Sequence, residues 1–541
     1  MTLGAPVLIV GGGPVGLATA LDLGQRGTNV VVVEQDAATG AELLAKAGTL
    51  NERTMEICRR WGIAAEVAAC GFPDDFNQDT IYCTALDGFF IGDDPRPAAR
   101  DRDPPEGAVE MFRKCPQFQF DPILARAALA TGRVDIRYGH RVEALRQDAD
   151  GVTVEVTEIA TGAAATLRGP YLVACDGAGS RIRGALGLTF EGRLLSYSVS
   201  AMIRASGIVA SPMGPANRYM FIDQTGTWSN LTSVDGRDLW RFTLVGNEDR
   251  LDPARRDICG DIRRALGASV GFEVLRVLPW RRSEFLIERY REGRVLFAGD
   301  AAHTTSPTGG HGLNTGIGDA VSLGWMLHAI LNGQGGLGLL DAYGAERRPV
   351  AARNGAISSV NFSSWVGATD FSRTLELGPE GDAARRAVGA ALNQSLAQEW
   401  LSTGVALGYN YGASPIVEPD GAPEPADEVT TYAQTARPGH RAPHAWLSDG
   451  VSTHDLFGQG FVLLRFDAQT SVKALVEAAG ARGVALQVVD IAAAAVAALY
   501  ERNLALVRPD AHVAWRGDTC PADSDRLIAK VAGFLANGGR I

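Results

Sequence analysis

Four short apolar runs in the chain share one form: unbroken hydrophobic residues, rich in β-branched side chains, that end at a glycine or an acid. PVLIV (6–10) runs into Gly11, VVVV (30–33) ends at Glu34, YLVA (171–174) leads to Asp176, and VLFA (295–298) leads to Gly299 and Asp300. Runs of this kind predict central strands of a parallel sheet covered on both faces. Between the first two, LATALDLGQRG has the spacing of an amphipathic helix. Between 190 and 285 the pattern changes to alternation: NRYMFIDQ, TWSNLTSV and LWRFTLVG, separated by glycine-containing turns, predict an antiparallel sheet. EPDGAPEPADE (418–428) is rich in proline, glycine and acid and reads as a linker. After it, from HDLFGQGFVLLRF to LALVRPDAHVAWRG, apolar strands alternate with short helices. The predicted division is therefore 1–189 and 286–417 as two parts of one α/β domain, 190–285 as an inserted antiparallel sheet, 418–428 as linker and 429–541 as a terminal α/β domain.

The chain's 541 residues suffice for two or three domains, and 46% hydrophobic with 21% charged residues is ordinary for a globular enzyme. A net charge of −11 argues against general nucleic-acid binding. Seven scattered cysteines, an odd number with no C-x-x-C pair, fit reduced thiols in the cytoplasm and neither a disulfide framework nor a zinc site. No metal site is expected. The opening segment lacks a basic n-region, and no window reaches about 18 consecutive apolar residues, so neither a signal peptide nor a membrane span is expected.

The first run carries chemistry. Gly11-x-Gly13-x-x-Gly16, with Pro14 and Val15 between the last two glycines, follows a strand and opens a helix. Glu34, with Gln35 after it, closes the next strand. Gly11 permits the tight turn, Gly13 lets backbone approach a pyrophosphate, and Gly16 lets helix and strand pack closely. The helix N-terminus faces the phosphates, and Glu34 can accept hydrogen bonds from ribose hydroxyls. NAD and FAD sites look alike at this point. Two later strands each deliver an acid, Asp176 and Asp300, to a turn. That suits a longer ligand with a polyol between phosphate and ring.

In this order and spacing the three segments resemble the single-component FAD-dependent aromatic hydroxylases related to phenol hydroxylase and para-hydroxybenzoate hydroxylase. The match is nearly continuous over GDAAHTTSPTGGHGLNTGIGDAVSLGWML (299–327). The resemblance implies that Asp300 binds a ribitol hydroxyl and that Pro307 lies at the reacting edge of the flavin. Gly309 to Thr315, including Gly310, Gly312, Leu313 and Asn314, then open a helix whose N–H groups face the ring. His311 is a candidate for substrate contact and His303 a structural hydrogen-bonder. Lys46 stands where relatives carry an arginine, Arg53 is a second cation candidate, and Gln117 matches a flavin-contacting glutamine. Arg241 matches an arginine associated with flavin movement. Thr243 departs from a family tyrosine, which leaves Arg218 and Tyr219 as candidates for substrate contact or activation.

The fold so implied is α/β: a Rossmann-type FAD-binding domain, an inserted antiparallel sheet for substrate, and a thioredoxin-like C-terminal domain. The last has Cys520 but no C-x-x-C, so packing or a homodimer contact is its expected role. The implied chemistry is hydroxylation of a phenolic ring with NADH or NADPH and O2 through a flavin C4a-hydroperoxide. The alternatives are another flavin oxidation (Baeyer–Villiger, epoxidation or oxidase) and a non-catalytic FAD-binding protein. A Ser306–His303–Asp300 hydrolytic triad lacks its G-x-S-x-G elbow. The halogenase W-x-W-x-x-I signature is absent.

Overall fold

The four apolar runs lie side by side. In the computed structural model, which describes residues 4–39, 47–247, 249–366 and 369–535, they form the middle of a six-stranded sheet. Its order is Arg291–Glu292, Val295–Phe297, Leu172–Ala174, Val7–Val10, Val30–Val33, Val134–Arg137. Leu8 stands opposite both Leu172 and Val31, and Leu172 opposite Val295, all in parallel register; the edge strand Arg291–Glu292 is antiparallel. Every residue of Val7–Val10 and Val30–Val33 is buried, as unbroken apolar strands require. The helix Pro14–Gln25 packs against the helices Gln117–Ala130 and His311–Leu331. A three-stranded antiparallel sheet (His140–Gln147, Val152–Glu158, Ala164–Gly169) contributes Val142, Val152, Val154 and Val156 to the same core.

The alternating segments form a second, eight-stranded sheet. Its backbone is a pair of long antiparallel strands, Phe190–Arg204 and Glu273–Ile287, in register from Phe190 opposite Ile287 to Arg204 opposite Glu273. The sheet extends beyond 190–285: Thr80–Cys83 pairs in parallel with Arg218–Asp223, and Phe90–Asp94 forms the far edge. Strand parity sorts its side chains onto two faces. Ala201, Ile203, Tyr219, Phe221, Leu231, Trp240 and Phe242 face an apolar core with the helix Ile258–Leu266. Ser200, Met202, Arg218, Asn230, Thr232, Arg241 and Thr243 face a cavity.

The C-terminal domain is a thioredoxin-like four-stranded sheet, ordered Leu486–Asp490, Phe461–Arg465, Leu504–Val507, Val513–Gly517, with helices Lys473–Ala481, Ala494–Tyr500 and Ser524–Val531. It shares a continuous hydrophobic core with the first domain, including Phe461 against Trp325. Buried ion pairs add to the join: Arg508 with Glu346 at 2.6 Å, and Arg441 with Glu56. Cys520 is a free thiol that donates to the Ser471 carbonyl at 3.1 Å. Among the described residues no helix is long and apolar enough to cross a membrane.

Candidate active site

The glycine loop, the two acid turns and the polar face of the large sheet open onto one cavity of about 1250 Å³. At its nucleotide end each glycine has a distinct reason to be glycine. Gly11 has φ +106°, and a Cβ there would lie 2.3 Å from the Cys175 carbonyl oxygen. A Cβ on Gly16 would lie 2.0 Å from the Gly11 carbonyl oxygen, so helix and strand touch through these two residues. Gly13 is different: it caps the Pro14–Gln25 helix without a side chain, and a Cβ on it would meet nothing within 4 Å. Its freedom is used by nothing in the protein and leaves room for a ligand. Val15 fills the angle beneath, 2.8 Å from where a Gly299 Cβ would stand.

The acids around this end are partly engaged in shaping it. Glu34 accepts from the backbone N–H of Gly12 and, at 2.8 Å, of Asp36. Gln35 is exposed at the cavity wall. Asp176 accepts from Ser180 Oγ at 2.6 Å and from the Ile182 N–H at 3.1 Å, which fixes its turn. Asp300 sits exposed on the Gly299–Ala301 turn and lines the cavity. Gln117 begins the Gln117–Ala130 helix at the wall and donates to Asp121 at 3.1 Å.

The 306–314 stretch is a turn that runs into the first turn of a helix. Gly309 and Gly310 both have left-handed φ, +87° and +71°, a turn that glycine makes without strain. The 21-residue helix His311–Leu331 then starts with no side-chain cap, so its first N–H groups, at Gly312, Leu313 and Asn314, are directed at the cavity that these residues line. Asn314 braces the start: it accepts from the Asn51 N–H at 2.9 Å and donates to the carbonyls of Thr49 and Gly310. Pro307 is exposed to the cavity, while its neighbours Ser306 and Thr308 are buried. Arg282 Nη1 donates to both of their hydroxyls, at 2.8 and 2.9 Å. The triad is ruled out by these partners. His303 Nε2 bonds Asp319 at 2.8 Å, and Asp319 also holds Arg347 and the Gly299 N–H. Burial works against the Asp319 carboxylate, yet Arg347 and His303 keep its pKa below the ordinary value.

The sheet end is cationic and aromatic. Arg218 pairs with Glu399 at 3.0 Å and lies over the Trp400 ring at 4.2 Å. Glu399 also accepts from Trp365 Nε1 at 2.7 Å. Trp280 donates to Ser200 at 2.9 Å. Burial pushes the Arg241 pKa down to about 10, with Arg218 adding repulsion, and Arg282 down to about 9. Burial, then Arg353, lowers His311 to about 4, so its imidazole is neutral; its Nε2 is buried without a hydrogen-bond partner.

Two sequence expectations are corrected. Tyr219 faces the opposite side of its strand from Arg218, is fully buried, and donates to the Gly214 carbonyl at 2.6 Å. It is a core residue, because neighbours in a strand point to opposite faces. Arg53 points away from the cavity: it pairs with Glu56 at 3.0 Å and donates to the Asp510 carbonyl at 2.6 Å, joining the C-terminal domain. Lys46 lies outside the described residues. Sequence reasoning missed Lys114, Arg282, Trp280, Trp365, Glu399 and Trp400 at the wall. Lys114 lies three positions before Gln117, and that proximity was the available signal.

These features fit FAD. The open cradle at Gly13 and the uncapped helix start at Gly310 are two anion-favouring places in one cavity, and the acids Glu34 and Asp300 line the same cavity. The chain belongs to the FAD-dependent aromatic-ring hydroxylases. Residues 4–357 match the model of the FAD binding domain, and residues 435–536 that of the aromatic-ring hydroxylase C-terminal domain. Tetracenomycin B2 monooxygenase-dioxygenase of Streptomyces olivaceus is 32% identical, over 97% of both chains. Phenol 2-monooxygenase of a Pseudomonas species (strain EST1001) is 30% identical, over 97% of this chain and 92% of its own. The solved structure of RebC soaked with chromopyrrolic acid, with 7-carboxy-K252c bound, superimposes with a TM-score of 0.92 at 38% identity, covering 99% of this chain and all of that one.

Proposed function

We propose that the protein hydroxylates a fused-ring or phenolic aromatic compound, consuming NAD(P)H and O2: one oxygen atom enters the ring as hydroxyl and the other leaves as water. The observation that carries this reading is the continuity of the cavity. Pockets of about 300–1,000 Å³ hold a single drug-sized ligand, whereas this one has about 1250 Å³ and joins a dinucleotide cradle to an aromatic-lined face. FAD supplies, when bound, hydride acceptance from the nicotinamide and activation of oxygen.

The protein's own residues supply orientation, charge and dryness. Gly13 and the Pro14 helix start hold phosphate, and Asp300 and Glu34 hold hydroxyls. The N–H groups of Gly312 to Asn314 favour negative charge on whatever lies before them, since they are fixed donors that need no reorganisation. Arg282 keeps the Pro307 turn in one conformation through Ser306 and Thr308. Trp280, Trp365 and Trp400 provide apolar walls that orient a flat ring and exclude water. His311 lines the cavity as a neutral imidazole; with its pKa lowered to about 4 it is a polar wall residue and not a base for a phenolic proton.

The test is a screen of purified yellow holoprotein with phenols, aromatic acids and polycyclic quinones. A substrate accelerates NADH or NADPH oxidation and appears with one added oxygen atom. Acceleration that yields only hydrogen peroxide across the whole panel contradicts the reading.

A further inference from the structure

Two thiols meet beside the wall that carries Gln117. Cys115 follows the Arg113–Lys114 strand and is fully buried. The segment is held by backbone bonds: the Cys115 N–H donates to the Gly48 carbonyl at 3.0 Å and the Gln117 N–H to the Ala47 carbonyl at 2.9 Å. Lys114 and Gln117, on either side of Cys115 and Pro116, both line the cavity. Cys70 follows the short helix Ala64–Ala68, which packs against the same strand, and is half-buried. Its Sγ donates to the Lys114 carbonyl at 3.3 Å, which brings it up to the peptide that carries Cys115, and the two thiols hydrogen-bond to one another. Both are free in the structure. Among the described residues no group of three or more His, Cys, Asp or Glu side chains is placed to hold a metal ion, so these sulfurs are not ligands of one.

The two differ as an attacking and a resolving thiol must. The Cys115 thiol, the N–H groups of Phe72 and Cys70, and Arg113 favour the Cys70 thiolate and bring its pKa down to about 7 against the effect of burial. Cys70 and burial push Cys115 well up, so it remains a thiol. Burial likewise pushes up Cys58, Cys83 and Cys175, which keeps them inert. A thiolate formed near neutral pH, open to solvent on one side and beside a second thiol, is the arrangement that peroxide oxidises selectively.

We propose that Cys70 and Cys115 are a modification site for hydrogen peroxide, closing to a reversible disulfide that shifts the Lys114–Gln117 segment and weakens flavin binding. The Cys70 thiolate attacks one peroxide oxygen; the O–O bond breaks, Cys70 becomes a sulfenic acid, and the other oxygen leaves as water. Cys115 sulfur then attacks the Cys70 sulfur; the S–S bond forms, the S–O bond breaks, and the departing hydroxide takes the Cys115 proton and leaves as a second water. The two thiols lose two electrons in all, and peroxide gains them. A disulfide needs its sulfurs about 2.05 Å apart, closer than two thiols approach without bonding, so the segment that carries Cys115 moves as the bond closes. The proposal needs only FAD in the cavity and is independent of the substrate. Its oxidant is the by-product that a flavin monooxygenase releases when oxygen transfer fails, which makes the site a brake on wasteful turnover.

The experiment treats FAD-loaded protein, freed of reductant, with a small molar excess of hydrogen peroxide, alkylates the remaining thiols and maps the peptides by mass spectrometry. The expected product is a linked Cys70–Cys115 peptide pair that has lost two hydrogens and is restored by dithiothreitol. In Cys115→Ser, Cys70 stops at the sulfenic acid and is trapped by dimedone. In Cys70→Ser and Cys70→Ala, Cys115 remains a thiol. Oxidised parent protein binds FAD about three- to tenfold more weakly, the scale of one hydrogen bond, and reduction restores the affinity, whereas the Cys70 variants bind FAD equally before and after peroxide. Cys70 surviving as a thiol while the exposed Cys259 is oxidised overturns the proposal, as does a link from Cys115 to Cys58 in its place. A disulfide that forms and leaves the Kd for FAD unchanged overturns the coupling to the flavin.

Discussion

Gly13→Ala should weaken FAD binding while leaving the apoprotein folded. Gly13 has φ −75° and ψ −179°, a conformation any residue adopts, and a Cβ there meets no protein atom within 4 Å. Two backbone effects oppose each other. Alanine is a poorer helix N-cap than glycine, by about 0.5–1 kcal/mol. It also restricts the unfolded chain, which returns about 0.4–1 kcal/mol. Apoprotein stability therefore changes by less than about 1 kcal/mol. The added methyl occupies the space through which a phosphate reaches the first N–H groups of the Pro14 helix. Losing one hydrogen bond to a charged group, about 1.5–3 kcal/mol, raises the Kd for FAD about 10- to 100-fold. The assay is fluorescence titration of deflavinated protein with FAD, beside urea unfolding of the same preparation. Gly11→Ala is the contrasting case. With φ +106° and a Cβ 2.3 Å from the Cys175 carbonyl oxygen, it damages the fold itself. The left-handed conformation alone costs about 1–2 kcal/mol, and the clash adds to this. If Gly13→Ala binds FAD as tightly as the parent, or loses as much apoprotein stability as Gly11→Ala, the placement of the phosphates at Gly13 is wrong.

Arg282→Met keeps the volume between Phe362 and Trp365 but releases Ser306 and Thr308; kcat should fall about tenfold with more hydrogen peroxide per NAD(P)H, while the unfolding midpoint hardly moves, because a buried charge is replaceable by packed hydrophobic volume. An unchanged peroxide yield contradicts a positioning role for Arg282. His311 has its folded pKa lowered from 6.5 to about 4. Between those values the unfolded chain binds the proton and the native one does not, so stability is full above about pH 6.5 and falls as pH drops toward 4, by up to about 3 kcal/mol. Urea unfolding of His311→Gln at pH 7.5 and 5 should show a smaller loss than the parent, and an identical loss refutes the burial argument. Glu56 is held well below the usual carboxylate range by Arg441 and Arg53, against the effect of burial. Glu56→Gln should destabilise the protein by about 3–5 kcal/mol and loosen the C-terminal domain, read by limited proteolysis and urea unfolding; wild-type resistance to proteolysis would refute the claim that this ion pair holds the join.

The nucleotide end was legible in the sequence because its constraints are local. A tight turn, a backbone contact and a helix start each demand glycine at a fixed spacing, and the strand patterns around Gly11, Asp176 and Gly299 supply the context. The sheet end was only half legible. Alternation announces strands, but which parity faces the cavity is not written in RYM or WRF, so the sequence does not separate Arg218 from Tyr219, which point to opposite faces. Which side chains meet on the cavity face depends on register across five strands, which is fixed by turns and packing and not by any one segment. Glu399 and Trp400 come from the end of the Pro379–Trp400 helix, in a region that the sequence assigns to the second part of the α/β domain without any motif to mark a site. Arg53 misled because a cation near a nucleotide site has two possible faces on its helix, and here the C-terminal domain holds the charge.

The central claim is that one cavity brings reduced flavin, oxygen and an aromatic ring together so that oxygen is transferred and not released. Turnover under isotopically labelled dioxygen, in unlabelled water, with mass analysis of the isolated product, tests it most directly. The account predicts one labelled oxygen in a new ring hydroxyl for each NAD(P)H consumed. A product whose new oxygen comes from water, or NAD(P)H consumption whose labelled oxygen appears only in hydrogen peroxide, would contradict it.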